Sequence, residues 1–319
     1  MIRFLLTRGR DYTIKQVQKA RFASAAGIMN YDSLLRAYWL RPATYIFTDL
    51  DRLSFWDLES VSHLYVKMKA AGFQVLNDPA RVKTRYPLLR ALHAAGLNDF
   101  NVYRMDEIDH VNRFPVFLKR IHGHGEPVSD LIQNSKELKK TAEEIIAGGV
   151  PAENLLAIEF VGEPVAPGIY RKLSAFRIGD SIFQHVSVHD THWLVKHGKL
   201  GIAGEKLYRE ERTLLETNPF KEHLKKVFDL ANIEYGRADF GFYKGRLQIY
   251  EINTNPCVDA PSTHPSPIRE ESIRLSWQKY LDTLALVDSK DTGSLLIARE
   301  KNLRRQARKN FFTRSRIAP

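Results

Sequence analysis

The sequence holds a single cysteine, Cys257, and no apolar run of the length that a membrane span requires. One cysteine excludes an internal disulfide framework and makes the reducing cytoplasm the default compartment. The opening residues, Met1 to Arg8, are too short and too charged to serve as a secretory signal. Cys257 has no histidine or second cysteine beside it in sequence, so it reads as a small buried hydrophobe in a pocket wall and not as a nucleophile. Acidic residues are also in short supply, 37 Asp and Glu against 48 Lys and Arg, for a net charge of +11. That imbalance is local. Between Arg299 and Pro319 eight Lys or Arg stand against one Glu, and the rest of the chain is nearly neutral. A nucleic-acid reading of the whole chain is therefore disfavoured. The helix-permissive stretch from Leu296 to Phe311 reads as a solvated terminal helix, with an anionic partner (acidic protein, anionic membrane or RNA) as the alternative.

What is present centres on Arg237-Ala238-Asp239-Phe240-Gly241-Phe242, a turn at Lys244-Gly245, and Leu247-Gln248-Ile249-Tyr250-Glu251-Ile252-Asn253. Two β-prone runs around a glycine turn predict a hairpin, and residues two apart on a strand share a face. Arg237 therefore sits with Asp239, and Glu251 with Asn253. Glu251 and Asn253 also continue the face of Leu247 and Ile249, where a carboxylate without a partner would be costly. Two carboxylates and an amide are the hard oxygen donors that Mg²⁺ takes, its remaining positions going to water and phosphate oxygens.

This Arg-x-Asp, hairpin, Glu-x-Asn-x-x-Pro pattern resembles the metal-binding end of the ATP-grasp superfamily, which includes D-alanine–D-alanine ligase, glutathione synthetase and the ribosomal-protein glutamate ligases. The resemblance implies that Asp239, Glu251 and Asn253 hold two Mg²⁺ ions on ATP and that Arg237 stabilises the transition state. It extends over roughly residues 44–260. Lys119, at the end of an apolar run before His122-Gly123-His124-Gly125, resembles the family's lysine and glycine loop on the nucleotide phosphates. Lys172 takes the place of the second phosphate-binding cation, with Arg177, otherwise a partner for Asp180, in reserve. Arg85 stands where the family has a lysine. The apolar run through Glu159, Phe160 and Val161 to Glu163 resembles the hinge that reads the adenine and the ribose.

The remaining elements follow from periodicity. Residues 44–76 spell strand, helix, strand, hence a parallel sheet. Helices are predicted over 85–95, 136–147, 219–231 and 268–287, and a second hairpin turns at Gly179-Asp180. Residues 1–42 mix aromatic and basic residues without a clean period and suggest no chemistry, apart from a helix near 31–40. Asp49-Leu50-Asp51 after the first of these strands also resembles the nucleophile motif of haloacid-dehalogenase-type phosphatases, against a bland reading as a cap or pocket lining. The stretch 185–217, with His185, His189, His192, His197, Trp193 and Lys196, reads as a long polar connection beside the metal hairpin, suited to substrate selectivity. Zinc is its sharper alternative, and His122 with His124 read as loop histidines.

The expectation is an α+β chain in the ATP-grasp architecture. An N-terminal α/β domain (1–79) precedes an ATP-grasp domain of two α+β subdomains (80–287; hinge 155–163, metal hairpin 236–256) and a basic tail (288–319). The implied activity is ATP-dependent amide or peptide-bond formation between a small carboxylate and an amine through an acyl phosphate. An ATP-grasp small-molecule kinase and a non-catalytic basic binding protein remain open. The substrates and the oligomeric state are not indicated.

Overall fold

The computed structural model describes residues 1–122 and 125–289 and the backbone of 295–296; the basic tail from Arg299 lies outside the described residues, as do Gly123 and His124. The first sheet contains β1 (Ile2–Leu6), β2 (Ala26–Asn30), β3 (Thr44–Phe47) and β4 (Val75–Leu76), in the order β2-β1-β3-β4. All its pairings are parallel. Every residue of β3 is buried and apolar or hydroxyl-bearing, the pattern of a strand covered on both faces. Its crossover helix α1 (Phe55–Ala70) starts where the Ser54 side chain accepts the Asp57 N–H, and Val61, Leu64, Tyr65 and Met68 form its buried stripe. Residues 1–42 supply two strands of this sheet and two short helices, Lys15–Lys19 and Tyr31–Arg36.

The chain then enters α2 (Arg85–Ala94), which stops at Gly96 with φ +68°. A small antiparallel sheet follows, β5 (Val102–Arg104), β6 (Val116–Arg120) and β7 (Leu155–Glu159) in the order β5-β7-β6. Leu138 and Ala142 of α3 (Ser135–Ala147) pack on its Leu118 and Ala157. The large antiparallel sheet contains β8 (Ile169–Ile178), β9 (Ser181–Asp190), β10 (Tyr235–Tyr243) and β11 (Arg246–Asn253), in the order β9-β8-β10-β11. Helices α4 (Glu205–Thr217) and α5 (Lys221–Ala231) lie between β9 and β10, and α6 (Pro267–Leu286) follows β11.

The expected connection over 185–217 is therefore half regular: β9 runs to Asp190 and α4 begins at Glu205. The strand carries His185, Ser187 and His189 at alternate positions where apolar residues would have marked a buried face. His185 instead bonds Ser276 of α6, and Ser187 bonds Glu211 of α4.

The main core joins Leu88, Leu89 and Leu92 of α2 to Leu224, Val227 and Phe228 of α5 and to Leu173, Phe240 and Ile249 of the large sheet. Each such side chain contributes about 1.5–3 kcal/mol by burial. Leu92→Ala would cost about 2–5 kcal/mol by leaving a cavity. The first sheet is held to the large one through Asn77, which is fully buried at φ +66°. Its amide donates to the carbonyls of Phe47 and Tyr235 and accepts the N–H groups of Glu234 and Tyr235. One side chain thus joins the carboxyl end of β3 to the start of β10.

Candidate active site between the two antiparallel sheets

The hairpin of β10 and β11 pairs Arg237 with Asn253 and Asp239 with Glu251. Residues directly opposed across strands share a face, so the four polar groups lie together as their spacing predicts. The turn takes Lys244 and Gly245 at φ +50° and +74°, the left-handed pair that a tight hairpin needs.

The register slips beyond Asp239: Phe240 faces Ile249, and Tyr250 is an extra residue. This bulge corrects the expectation that Glu251 continues the face of Leu247 and Ile249. Leu247 and Ile249 pack in the core with Phe240, while Tyr250 and Glu251 both line the cleft. Without the extra residue the Glu251 carboxylate would point into that core, at a cost on the order of several kcal/mol. A bulge re-aims a side chain by one position.

The cleft lies between the small and the large sheets and encloses about 1020 Å³ including its open mouth. Its polar end holds paired charges. Asp239, buried, accepts from Lys172 Nζ at 2.9 Å and Arg237 Nε at 3.0 Å. Arg237 also reaches the Cys257 carbonyl. Glu251 Oε2 lies 2.7 Å from Arg85 Nη2, and the other terminal nitrogen of Arg85 donates to the carbonyls of Arg120 and Ile121. Arg85 thus ties the end of β6 to the Glu251 carboxylate.

Lys119 on β6 faces them, its ammonium donating to the Gly125 carbonyl at 3.0 Å. Burial brings its pKa down to about 8, with Arg85, Lys196 and Lys172 pushing the same way against the pull of Glu251. A lysine among cations, with its charged form disfavoured, is set to receive an anion.

Among the described residues no three His, Cys, Asp or Glu are grouped so as to hold a metal unaided. Asp239 and Glu251, opposed across the hairpin, with the Asn253 amide oxygen one pair further, are a hard-oxygen set too small to enclose an ion. That suits Mg²⁺, which keeps positions for water and phosphate. The Asn253 oxygen also accepts the Asn255 N–H.

The other end of the cleft is apolar, lined by Phe100, Phe117, Ile158, Val161 and Tyr250. Trp193, from the irregular stretch 191–204 after β9, crosses to this end, its ring centroid 5.3 Å from Phe117 and 5.2 Å from Phe160. Lys196 lies 3.9 Å from Glu126 beside the glycine loop. The stretch expected to read the substrate thus covers the apolar half of the cleft. A tryptophan beside a histidine in a polar run was the signal available in the sequence. Phe100, Phe117 and Tyr250 carried none, since each reads as an ordinary core aromatic.

The hinge candidates separate on inspection of their partners. Glu159 is buried, with Oε2 accepting the Asn101 N–H and Oε1 the Tyr103 hydroxyl. Burial, with Glu159 adding to it, pushes the Tyr103 phenol up to about 12. The Phe160 N–H donates to the Pro115 carbonyl, and the Val161 carbonyl accepts from Tyr250. Glu163 accepts the Lys244 N–H and so joins this connector to the hairpin turn.

Three other expectations are corrected. Arg177 pairs with Asp229 of α5 at 2.6 Å and not with Asp180. Cys257 is exposed, its thiol donating to Asp259, and burial of the sulfur followed by Asp259 pushes its pKa up to about 11. It is neither a buried wall residue nor a thiolate. Burial brings His185 down to about 3 and His189 to about 4, with nearby arginines adding to both. The two are neutral core residues, and no zinc cluster forms around them among the described residues.

No family model and no curated protein matches the sequence. The structure, however, is similar to solved ligases. D-alanine–D-alanine ligase from Bacillus anthracis aligns at 13% identity over 90% of this chain and 96% of its own, with a TM-score of 0.51. ATP-grasp ligase PsnB, complexed with a phosphomimetic variant of minimal precursor, Mg and ADP, aligns at 12% identity over 90% and 96%, with a TM-score of 0.52. VanG D-Ala:D-Ser ligase from Enterococcus faecalis aligns at 12% over 90% and 98%, with a TM-score of 0.50. At such identities the likeness concerns the backbone: the chain has the α+β ATP-grasp fold.

Proposed function

We propose that the protein is an ATP-dependent carbon–nitrogen ligase, joining a small carboxylic acid to an amine through an acyl phosphate. The observation that carries this reading is the opposition of Asp239 and Glu251 across the hairpin, with Lys172 and Lys119 in the same cleft and Arg237 paired to Asp239. The fold supports it, since the solved proteins it resembles are ligases, and PsnB was captured with Mg and ADP.

In this reading the apolar end under Trp193 takes the adenine, with the 159–163 connector along its edge. Lys119 and Lys172 hold phosphate oxygens, and Arg85 keeps Glu251 facing them. Asp239, Glu251 and Asn253 would hold Mg²⁺, which when bound neutralises phosphate charge. Lys172 and Arg237 both pair with Asp239 and offset its charge. Lys172 can then turn from Asp239 to the phosphate. Arg237 lies two residues along the strand from Asp239, placed to meet the oxygen that gains charge when an amine attacks the acyl carbon. A kinase needs that group less, because its developing charge lies on phosphoryl oxygens.

The test is trapping with hydroxylamine across a panel of small carboxylic and amino acids. A ligase releases ADP and yields a hydroxamate with the correct acid, and Arg237→Met lowers the rate by about 10² or more. A phosphorylated alcohol as the product, without hydroxamate and with little effect of Arg237→Met, would establish the kinase instead.

A further inference from the structure

Glu251 reaches the cleft because Tyr250 is an extra residue, and a bulge in an edge strand needs something to hold it. Two contacts do so. On the outer side of β11, the Ile249 N–H donates to Asn98 Oδ1 at 2.8 Å, and the Ile249 carbonyl accepts from Asn98 Nδ2 at 2.9 Å. The carboxamide therefore makes the two bonds a neighbouring strand would make, at the residue before the bulge. Asn98 is buried and lies 151 positions away in sequence. On the cleft side, the Tyr250 hydroxyl donates to the Val161 carbonyl at 3.4 Å. Its ring lies over Gly241, where a Cβ would come within 2.4 Å of the hydroxyl oxygen, so a side chain there would displace the Tyr250 ring.

We propose that Asn98 and Tyr250 are positioning residues: they hold the bulge that turns Glu251 into the cleft, and through Val161 they link the register of that carboxylate to the connector beside the nucleotide base. Asn98 touches no reacting group and acts only through Ile249. The metal-holding role of Glu251 rests on the ligase reading above; the bulge itself does not.

The experiment compares Asn98→Ala, Tyr250→Phe and Gly241→Ala with Glu251→Gln. Amide exchange at Ile249 is followed without ligand, and turnover and the melting midpoint with ATP are measured against Mg²⁺ concentration. Asn98→Ala is expected to expose the Ile249 amide to exchange. It should also raise the Mg²⁺ needed for half-maximal turnover by about 10–100-fold, the scale for losing a residue that orients a metal ligand. Saturating Mg²⁺ should restore most of its kcat and its melting shift but should not rescue Glu251→Gln. Tyr250→Phe and Gly241→Ala should move the Mg²⁺ requirement in the same direction. An Ile249 amide as protected in folded Asn98→Ala as in the wild type, or an unchanged Mg²⁺ requirement there, overturns the proposal. Should Asn98→Ala not fold, a wild-type Mg²⁺ requirement in both other variants overturns it. A wild-type protein indifferent to MgATP defeats the ligase reading instead, and Ile249 exchange then still decides whether Asn98 holds the bulge.

Discussion

Two buried aspartates, Asp49 just after β3 and Asp239 in the middle of β10, show how unlike two acidic motifs are once their partners are known. Asp49 is 2% exposed and Asp239 3%, and each is matched by arginine. Asp49 accepts both the N–H and the hydroxyl of Thr7 on one oxygen and lies 3.3 Å from Arg52 on the other, with its backbone at φ +55°. Its oxygens hold the end of β1 to the end of β3. Among the described residues, Asp239 pairs with the side chains of Lys172 and Arg237, both on the sheet that lines the cleft. A flexible ammonium can move to an arriving phosphate, whereas a backbone N–H cannot leave its strand. The first carboxylate is a closed structural bond and the second an open one, and the phosphatase reading of Asp49-Leu50-Asp51 loses its nucleophile.

The largest test of this contrast removes the open carboxylates. Asp239→Asn and Glu251→Gln should each lower ADP release by at least about 10²-fold and abolish the rise in melting midpoint that MgATP gives the wild type by binding the folded state. Wild-type turnover in either variant would place the metals elsewhere.

Lys119 sharpens the contrast from the cation side through pH. Its folded pKa, about 8, lies below its ordinary value of 10.5 because burial disfavours the charged form. Between those values the unfolded chain binds more protons, so this group makes the ligand-free fold more stable as pH rises from about 8 to 10.5. Phosphate needs the charged lysine, so ATP affinity should fall over the same window, by up to about tenfold per unit above pH 8. Opposite slopes of ligand-free melting and of ATP binding, both lost in Lys119→Met, are the expected result; parallel slopes would contradict it.

A further variant opens the cover of the cleft. Trp193→Ala should weaken nucleotide binding by about 10–100-fold, corresponding to about 1–3 kcal/mol for an aromatic stacked on a base. Nucleotide titration of the tryptophan emission in wild type and variant measures this, and equal affinities would remove Trp193 from the base end.

The smallest effect on turnover belongs to the closed carboxylate. Asp49→Asn should leave ADP release unchanged while costing about 1–3 kcal/mol of stability, because Thr7 loses a charged acceptor and Arg52 its ionic partner. Thermal melting beside the turnover assay checks both. Lost turnover with an unchanged midpoint would erase the distinction drawn here.

Much of the site was legible beforehand because its determinants are local. The alternation Arg237, Asp239 and the left-handed turn residues Lys244-Gly245 define one hairpin whatever surrounds it. The hinge candidates showed the limit of that logic. Glu159 and Glu163 look alike in a string, but Glu159 spends its oxygens on Asn101 and Tyr103 within its own sheet. The second half of β9, from His185 to Asp190, was hidden for a related reason: partners on α4 and α6 allow polar residues on its buried face.

The amino-acid sequence by itself determined the strands and helices with clear apolar periods and the face shared by the four polar residues of the hairpin, and its resemblance singled out Lys119 and Lys172, which line the cleft. Tertiary structure alone decided that Glu251 leaves the face of Ile249, that Arg85 braces it, and that Trp193 reaches Phe117 and Phe160. The physical reason is sequence separation. Periodicity and turn chemistry act over a few residues, whereas Arg85 meets Glu251 across 166 positions and Asn98 meets Ile249 across 151, contacts that exist only once the cores beneath them have packed.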